Sequence, residues 1–273
     1  MNTTQPGRLI AVTGLFVVAA VFIPVRASAY EVYTSPRNAD VDARGARSVR
    51  IEASAGGLRV EGRSGISQVR VRGTARASRR NVLEEIKLIA ERRGDVVFIK
   101  AVMPDHNNVG LRELFRGDYG QQELELIIEV PNSLPLDVAD GSGEAEFNNT
   151  GALSFDDGSG NIFVRGGRGN VRITDGSGNI TIEGVEGSVK VDDGSGNISA
   201  RNVTGDFTVG EDGSGDIDVS SVGGTMRVEN DGSGNIDVDR VAGDFVVDND
   251  GSGTIRYATV KGRISVPERK RRG

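Results

Sequence analysis

Seven aspartates, Asp140, Asp157, Asp175, Asp193, Asp212, Asp231 and Asp250, each open the same tetrapeptide, Asp-Gly-Ser-Gly, at successive spacings of 17, 18, 18, 19, 19 and 19 residues. A carboxylate repeated at so regular an interval suits three kinds of chemistry. Neighbours could share a hard cation such as calcium. They could supply the paired acid and base of a glycan-cleaving enzyme. Or each could accept the backbone N–H groups of the serine and glycine that follow it and close a turn locally. If the copies stack at the usual strand separation of roughly 4.8 Å, adjacent carboxylates repel by about 0.9 kcal/mol in bulk water, and by more if partly buried. Something must therefore offset that charge. The nonapeptide calcium motif places an aspartate in each of two glycine-rich corners per coil. Here the tetrapeptide occurs once per period, and the opposite corner has no aspartate before its glycine. The turn is thus the expected role, and calcium the one contender as a ligand.

The remaining chemistry is sparse. Asn161, Asn179, Asn197 and Asn235 form a second periodic column, interrupted by Glu144, Asp216 and Thr254. Stacked amides can hydrogen-bond along a coil axis, so this column is expected to be a structural ladder. His106 is the only histidine, in the stretch Asp105-His106-Asn107-Asn108, and a catalytic triad would have to reach from there into a repeat. There is no cysteine, which removes disulfides, thiolate metal sites and cysteine nucleophiles together. No catalytic, cofactor-binding or metal-binding residue is assigned, and no cofactor is expected.

The elements that carry these columns follow from apolar periodicity. In the copy from Asp175, Ile180 and Ile182 alternate, Val185 stands alone, and Val189 and Val191 alternate again. A period of two means short strands with one buried face. The same five positions recur as Ile198, Ala200, Val203, Phe207 and Val209, as Ile217, Val219, Val222, Met226 and Val228, as Ile236, Val238, Val241, Phe245 and Val247, and as Ile255, Tyr257, Val260, Ile264 and Val266. A second glycine lies near the middle of every copy, at Gly151, Gly169, Gly187, Gly205, Gly224, Gly243 and Gly262. Each rung therefore has two glycine corners between two short strands, with glycine free to take positive φ there. A hairpin meander has no reason to repeat one turn so regularly, whereas a coil of parallel strands places identical corners above one another. The expected fold is all-β, a single-stranded parallel β-helix (β-solenoid) with 18–19 residues per rung. Its seven copies would stand about 34 Å tall.

Before the repeats the same pattern is irregular. Ser48 to Ala53 and Leu58 to Gly62 alternate around Ala55-Gly56-Gly57, and Val69 with Val71 follows a corner at Ser64-Gly65. Ser78 to Glu84 suits one or two helical turns capped by Ser78 or Asn81. Ile86, Leu88 and Ala90 alternate into Arg93-Gly94-Asp95 and Val97 with Ile99 alternates out, which predicts a hairpin. A helix from Asn81 through Arg93 is the competing assignment. Pro104 to Gln122 is expected to be a loop and Glu123 to Val130 a strand, with Pro131 and Pro135 bracketing the start of the regular stack.

The chain begins with Arg8 and an apolar run from Leu9 to Val25 that ends in Ala27-Ser28-Ala29, the small-x-small pattern of a signal peptide cleaved after Ala29. The run has 17 residues and a proline, short of the roughly 20 of a spanning helix. The expected organisation is a signal peptide (1–29), an irregular β region continuous with the solenoid (30–130), the regular solenoid (131–266) and a basic tail (267–273). No transmembrane segment is expected in the mature chain. From residue 131 to 258 there are 23 acidic and 8 basic residues, an excess that would repel nucleic-acid phosphates. The tail swings back with Arg269, Lys270, Arg271 and Arg272, which would blunt one end of the stack against self-pairing.

These features together resemble a known family. The signal peptide, Gly-Gly-Leu-Arg-Val-Glu-Gly at Gly56 to Gly62, Val130-Pro131, and Ser-Gly-x-Ile alternating with Val-x-Gly-x-Val are similar to the bacterial putative adhesin family of β-strand repeat proteins, a domain of unknown function related to head-domain putative autotransporter adhesins. The resemblance implies a β-helix exported to the bacterial envelope, in the periplasm, at the surface or secreted, with no accepted catalytic residues to carry over. The expected function is that of a non-catalytic adhesin or envelope scaffold presenting a repetitive acidic surface to an envelope or surface component. Two alternatives stand beside it, a self-assembling envelope filament and a β-helix polysaccharide lyase or hydrolase.

Overall fold

A computed structural model describes residues 32–104 and 122–267. His106, the segment expected to be a signal peptide, most of the loop expected at Pro104 to Gln122 and the tail beyond Pro267 lie outside the described residues. The fold is nearly all β, a solenoid preceded by a less regular region with antiparallel strands.

Each regular rung gives one strand to each of two 11-stranded sheets. In one sheet run β8 (Leu136–Asp140), β10 (Leu153–Asp157), β12 (Val171–Asp175), β14 (Val189–Asp193), β16 (Phe207–Asp212), β18 (Met226–Asp231), β20 (Phe245–Asp250) and β22 (Ile264–Ser265). In the other run β9 (Ala145–Asn148), β11 (Ile162–Arg165), β13 (Ile180–Val185), β15 (Ile198–Val203), β17 (Ile217–Val222), β19 (Ile236–Val241) and β21 (Ile255–Val260). All of these pair in parallel with like positions opposed, for example Phe155 with Ile173 and Ile182 with Ala200. The five apolar positions of the copies from Asp175 through Asp231 are all buried between the sheets. One rung has only a thin apolar face, so burial comes from its neighbours.

The change from 18 to 19 residues has a definite place. The register shifts after Val191, so that Asp193 pairs with Asp212 although β16 carries an extra residue at Gly210-Glu211. A bulge absorbs the insertion before the corner and keeps the aspartates stacked.

Glycine's role differs between the two corners. The second glycine of each Asp-Gly-Ser-Gly has positive φ, from 132° at Gly143 to 153° at Gly234. The mid-rung glycines have no positive φ except Gly169 at 159°, contrary to expectation. They are needed because a Cβ there would collide with the previous rung, as at Gly187 against Gly169 and at Gly243 against Gly224. The left-handed position at that corner lies just before the lone valine, or before Thr150 and Gly167 in the first two rungs. Gly166 and Gly184 occupy it in two rungs, and Asn149, Asn202, Ser221, Arg240 and Thr259 take it with φ between 52° and 61°. A non-glycine residue there costs roughly 1–2 kcal/mol. Ser221→Gly is therefore expected to stabilise the protein by about 1 kcal/mol, read as a melting temperature raised by about 2–4 °C. No rise would mean that the bend is relaxed for serine.

The N-terminal region does not stack in sequence order. β2 (Ser48–Glu52) and β3 (Leu58–Arg63) form a rung that lies between β8–β9 on one side and β6 (Val96–Val102) and β7 (Gln122–Pro131) on the other. Beyond it the direction reverses. β4 (Gln68–Ala77) is antiparallel to β7 and to β1 (Tyr33–Asp42), and β5 (Lys87–Arg93) forms the expected hairpin with β6. The helical turn is α1 (Arg80–Glu85), but its N-cap is Arg79, which makes no side-chain capping bond, in place of Ser78 or Asn81. What holds it is tertiary: Leu83 is buried, and Arg37 donates to the carbonyls of Leu83 and Ile86, both at 2.8 Å. A positive guanidinium on the last carbonyls also suits the helix dipole.

The opposite end is open. In the last copy Ile255 is only half-buried, while Tyr257 is 46% and Ile264 43% exposed, because no rung covers them among the described residues.

Candidate functional site

The aspartate column closes one edge of the core. Each member ends a strand with its side chain inward, continuing the alternation of Leu153 and Phe155 into Asp157. Cα register opposes Asp140 to Asp157, Asp157 to Asp175, and so on without a break to Asp250. The first six are buried, Asp157 and Asp212 being 3% exposed. Backbone bonding runs straight through the corners. Gly194 N–H donates to Asp175 O at 2.9 Å, and Gly196 N–H to Ser214 O at 2.9 Å, so the two glycine amides of the corner are satisfied without the carboxylates.

The expected turn forms only in part. Ser177 and Ser195 N–H donate to Oδ1 of Asp175 and Asp193 at 3.1 Å, and Gly141 N–H to Oδ1 of Asp140 at 2.7 Å. The second oxygen of these three is buried without a hydrogen-bond partner, as are both oxygens of Asp157, Asp212 and Asp231. Burial accordingly pushes Asp140 and Asp212 up to about 7 and Asp157, Asp193 and Asp231 to about 6, and it raises Asp175 as well. A stacked carboxylate adds to the rise at the first five. The adjacent corner amides act in the opposite direction, close enough to lower each carboxyl even where they miss hydrogen-bond geometry. At roughly 4.8 Å and an effective dielectric of 20, two full charges would repel by about 3.5 kcal/mol, so the column cannot remain wholly ionised at no cost.

The asparagine column is a ladder, in a form the sequence did not suggest. Each side-chain oxygen accepts the backbone N–H one rung on: Asn179 N–H to Asn161 Oδ1 at 3.1 Å, Asn197 N–H to Asn179 Oδ1 at 3.0 Å, Asp216 N–H to Asn197 Oδ1 at 2.9 Å, Asn235 N–H to Asp216 Oδ1 at 2.8 Å. Direct amide-to-amide bonding occurs between Asn179 and Asn161 at 3.3 Å. Since only an acceptor is required, Asp216 continues the column it was expected to interrupt.

A second ladder at the opposite corner went unnoticed in the sequence. Ser188 N–H donates to Asn170 Oδ1, Asp206 N–H to Ser188 Oγ, Thr225 N–H to Asp206 Oδ1 and Arg263 N–H to Asp244 Oδ1. The Arg263 amide and guanidinium hold the Asp244 carboxyl below its ordinary value. The signal was present, in the short polar acceptor that follows most mid-rung glycines.

The outer faces carry ion pairs across rungs. Glu146 pairs with Arg59 at 2.5 Å and with Arg165, Glu183 with Arg201 at 2.6 Å, Asp237 with Arg256 at 3.2 Å, and on the other sheet Arg227 with Asp248 at 2.5 Å. Such exposed pairs contribute roughly 0–1 kcal/mol each, so they balance surface charge more than they hold the coil together. Beside the column, the extra residues of the 19-residue rungs shape an open groove of 580 Å3 lined by Glu211, Asn230, Asp248, Asn249 and the neighbouring corners. Among the described residues no three carboxylate or imidazole groups are arranged to hold one metal ion, and no helix is long and apolar enough to cross a membrane.

No curated protein matches the sequence. Three crystal structures align with it at 12% identity and over 86% of this chain. They are a putative cell adhesion protein from Clostridium sporogenes (99% of that chain, TM-score 0.34), a putative adhesin from Bacteroides fragilis (96%, 0.39) and a putative lipid binding protein from Parabacteroides distasonis (97%, 0.36). With TM-scores below 0.5 they carry no argument about this chain. The family profile is of another order, since it matches residues 102–272 and so takes in the whole regular solenoid. Two glycine corners per rung, an inward aspartate closing one of them, and a sequence match over more than half its length place this chain in the Toastrack DUF4097 family.

Proposed function

We propose that the chain is a non-catalytic, exported β-solenoid that serves as an adhesin or envelope scaffold and binds through its repetitive outer faces, without a metal or cofactor. The observation that carries this is the shortness of its corners. Between consecutive strands from β8 to β22 the chain uses three to five residues per corner. Loops of that length build no walled cleft of the kind substrate pockets need, whereas the sheet faces offer in-register columns such as Asp218 over Asp237 and Ser220 over Asp239. Export rests on the segment from Arg8 to Ala29.

The test uses the full chain and isolated bacterial envelope fragments. Retention on the fragments is expected, weakening as salt rises and lost in an Asp218→Lys, Asp237→Lys variant whose melting temperature is unchanged. Turnover of acidic polysaccharide by the unmodified protein would overturn the reading in favour of a lyase or hydrolase. The exposed apolar rung at Tyr257 and Ile264 favours self-assembly as a second reading. A sedimentation coefficient that grows with concentration, and that Tyr257→Lys holds at the monomer value, would support it.

A further inference from the structure

We propose that the inward aspartate column is a shared-proton ladder, in which stacked carboxyls hold protons between them and so make the closure of the solenoid edge respond to pH. This goes beyond any role for the outer faces. Six carboxyls are buried in unbroken register, and each has at least one oxygen with no hydrogen-bond partner inside the core. An ionised carboxylate is an acceptor only, whereas a protonated one donates. Protonating every second member supplies three O–H donors, each bonding an unsatisfied oxygen one rung away, and removes the like-charge contacts between neighbours.

The charged groups that act on the column do not neutralise it. They are its own members, Asp250 included, together with Asp156 beside Asp157 and Asp216 beside Asp231, all carboxylates. The corner amides of Gly141, Gly158, Gly176, Gly194 and the serines that follow act from the other side and only partly offset burial.

The direction of the pH effect follows from linkage. The folded column keeps protons up to about pH 6–7 that an unfolded chain releases near its ordinary aspartate range of about 4. Its contribution to stability is full below about pH 4 and is lost as pH rises through 6–7. Groups with lowered values act at the other end. The Arg72, Arg44, Lys100 and Arg201 partners hold Asp40, Asp42, Glu52 and Glu183 down, so the stability they supply is lost only in acid. Among side chains only histidine ordinarily changes charge between roughly pH 5 and 8, so His106 is the control beside the column.

The experiment measures thermal unfolding of the full chain across that range. The melting temperature is expected to fall by about 10 °C or more between pH 5 and 8, with folding taking up about three protons per chain near pH 5.5. His106→Gln should keep that slope. The combined variant Asp157→Asn, Asp193→Asn, Asp231→Asn should flatten it and melt above the unmodified protein at pH 8. A flat profile in the unmodified protein, or an unchanged slope in the triple variant, would overturn the proposal. Should the triple variant not fold, carboxyl carbon NMR of the unmodified chain decides, since column carboxyls titrating above pH 5.5 support the ladder and a uniform midpoint near 4 sinks it. A calcium-induced rise of several degrees at pH 8, reversed by chelator, would also overturn it, because the column would then be neutralised by metal.

Discussion

Gly196→Ala is expected to leave the chain without a folded solenoid, a loss of more than about 4 kcal/mol that reaches the range where single substitutions are diagnostic. Two independent costs meet at this residue. Its φ is 140°, a conformation that side-chain-bearing residues rarely adopt, and a Cβ there would overlap the carbonyl oxygen of Gly178 in the rung below. The neighbouring rungs leave no room to yield, because Gly215 stands over Gly196 as Gly196 stands over Gly178. Widening the spacing would break the bonds from Gly178 N–H to Ser195 O and from Gly196 N–H to Ser214 O, both 2.9 Å. Gly65→Ala separates the two costs. Gly65 also has positive φ, 74°, but nothing lies within 4 Å of its missing Cβ. That change should cost about 1–2 kcal/mol, the price of conformation alone. Urea unfolding followed by circular dichroism measures both, and equal losses would mean that rung contact does not dictate the corner sequence.

Phe207→Ala should be the most damaging of the core truncations, at about 3–5 kcal/mol. Phe207 is fully buried and sits in register between Val189 and Met226, so the cavity would open in the middle of the stack and touch two rungs at once. Val246→Ala in the same sheet serves as control. Its side chain points outward between Arg227 and Ser265 and is half-buried, so less than about 1 kcal/mol is expected. The manner of unfolding should differ too. A solenoid rung depends only on its neighbours, and the C-terminal rung is already uncovered at Tyr257 and Ile264. Amides of β18 to β22 are therefore expected to exchange faster in Phe207→Ala while those of β8 to β12 keep more of their protection. Uniform loss of protection would mean that the array unfolds as one cooperative unit.

These two residues also show how far local sequence reasoning reaches. Phe207 was assignable to the core because a period of two, repeated five times at matching positions, leaves little freedom in which face is buried. The inward aspartate was harder. Asp157 continues the alternation of Leu153 and Phe155, so the pattern itself pointed inward, but an acidic residue is ordinarily exposed and the turn reading satisfied its carboxylate within its own corner. The asparagine ladder was legible as a column, but the expected amide-to-amide bond forms between Asn179 and Asn161 while the run of the ladder is carried by backbone N–H donors, because which group donates depends on where the next rung's N–H lies. The mid-rung glycines were assigned to the right corner for the wrong cause, since close approach between rungs is a property of the stack and not of the tetrapeptide. Conversely, the left-handed positions at Asn202, Ser221 and Arg240 gave no glycine signal at all.

By itself the sequence determined the repeat, its two corners, the buried positions and the absence of cysteine chemistry, because the last follows from composition and the others from a period restated along the chain. The tertiary structure alone decided the order of rungs before Leu136, where β2 and β3 slip between strands that come later in the chain, and the antiparallel closure by β1, β4 and β5. Those pairings join residues far apart, as Val49 with Val97 and Leu58 with Leu126, and no local pattern distinguishes one long-range partner from another. The fate of the aspartates was decided there too. A carboxyl in a tetrapeptide has water beside it, and only stacking removes that water and puts another carboxyl in its place.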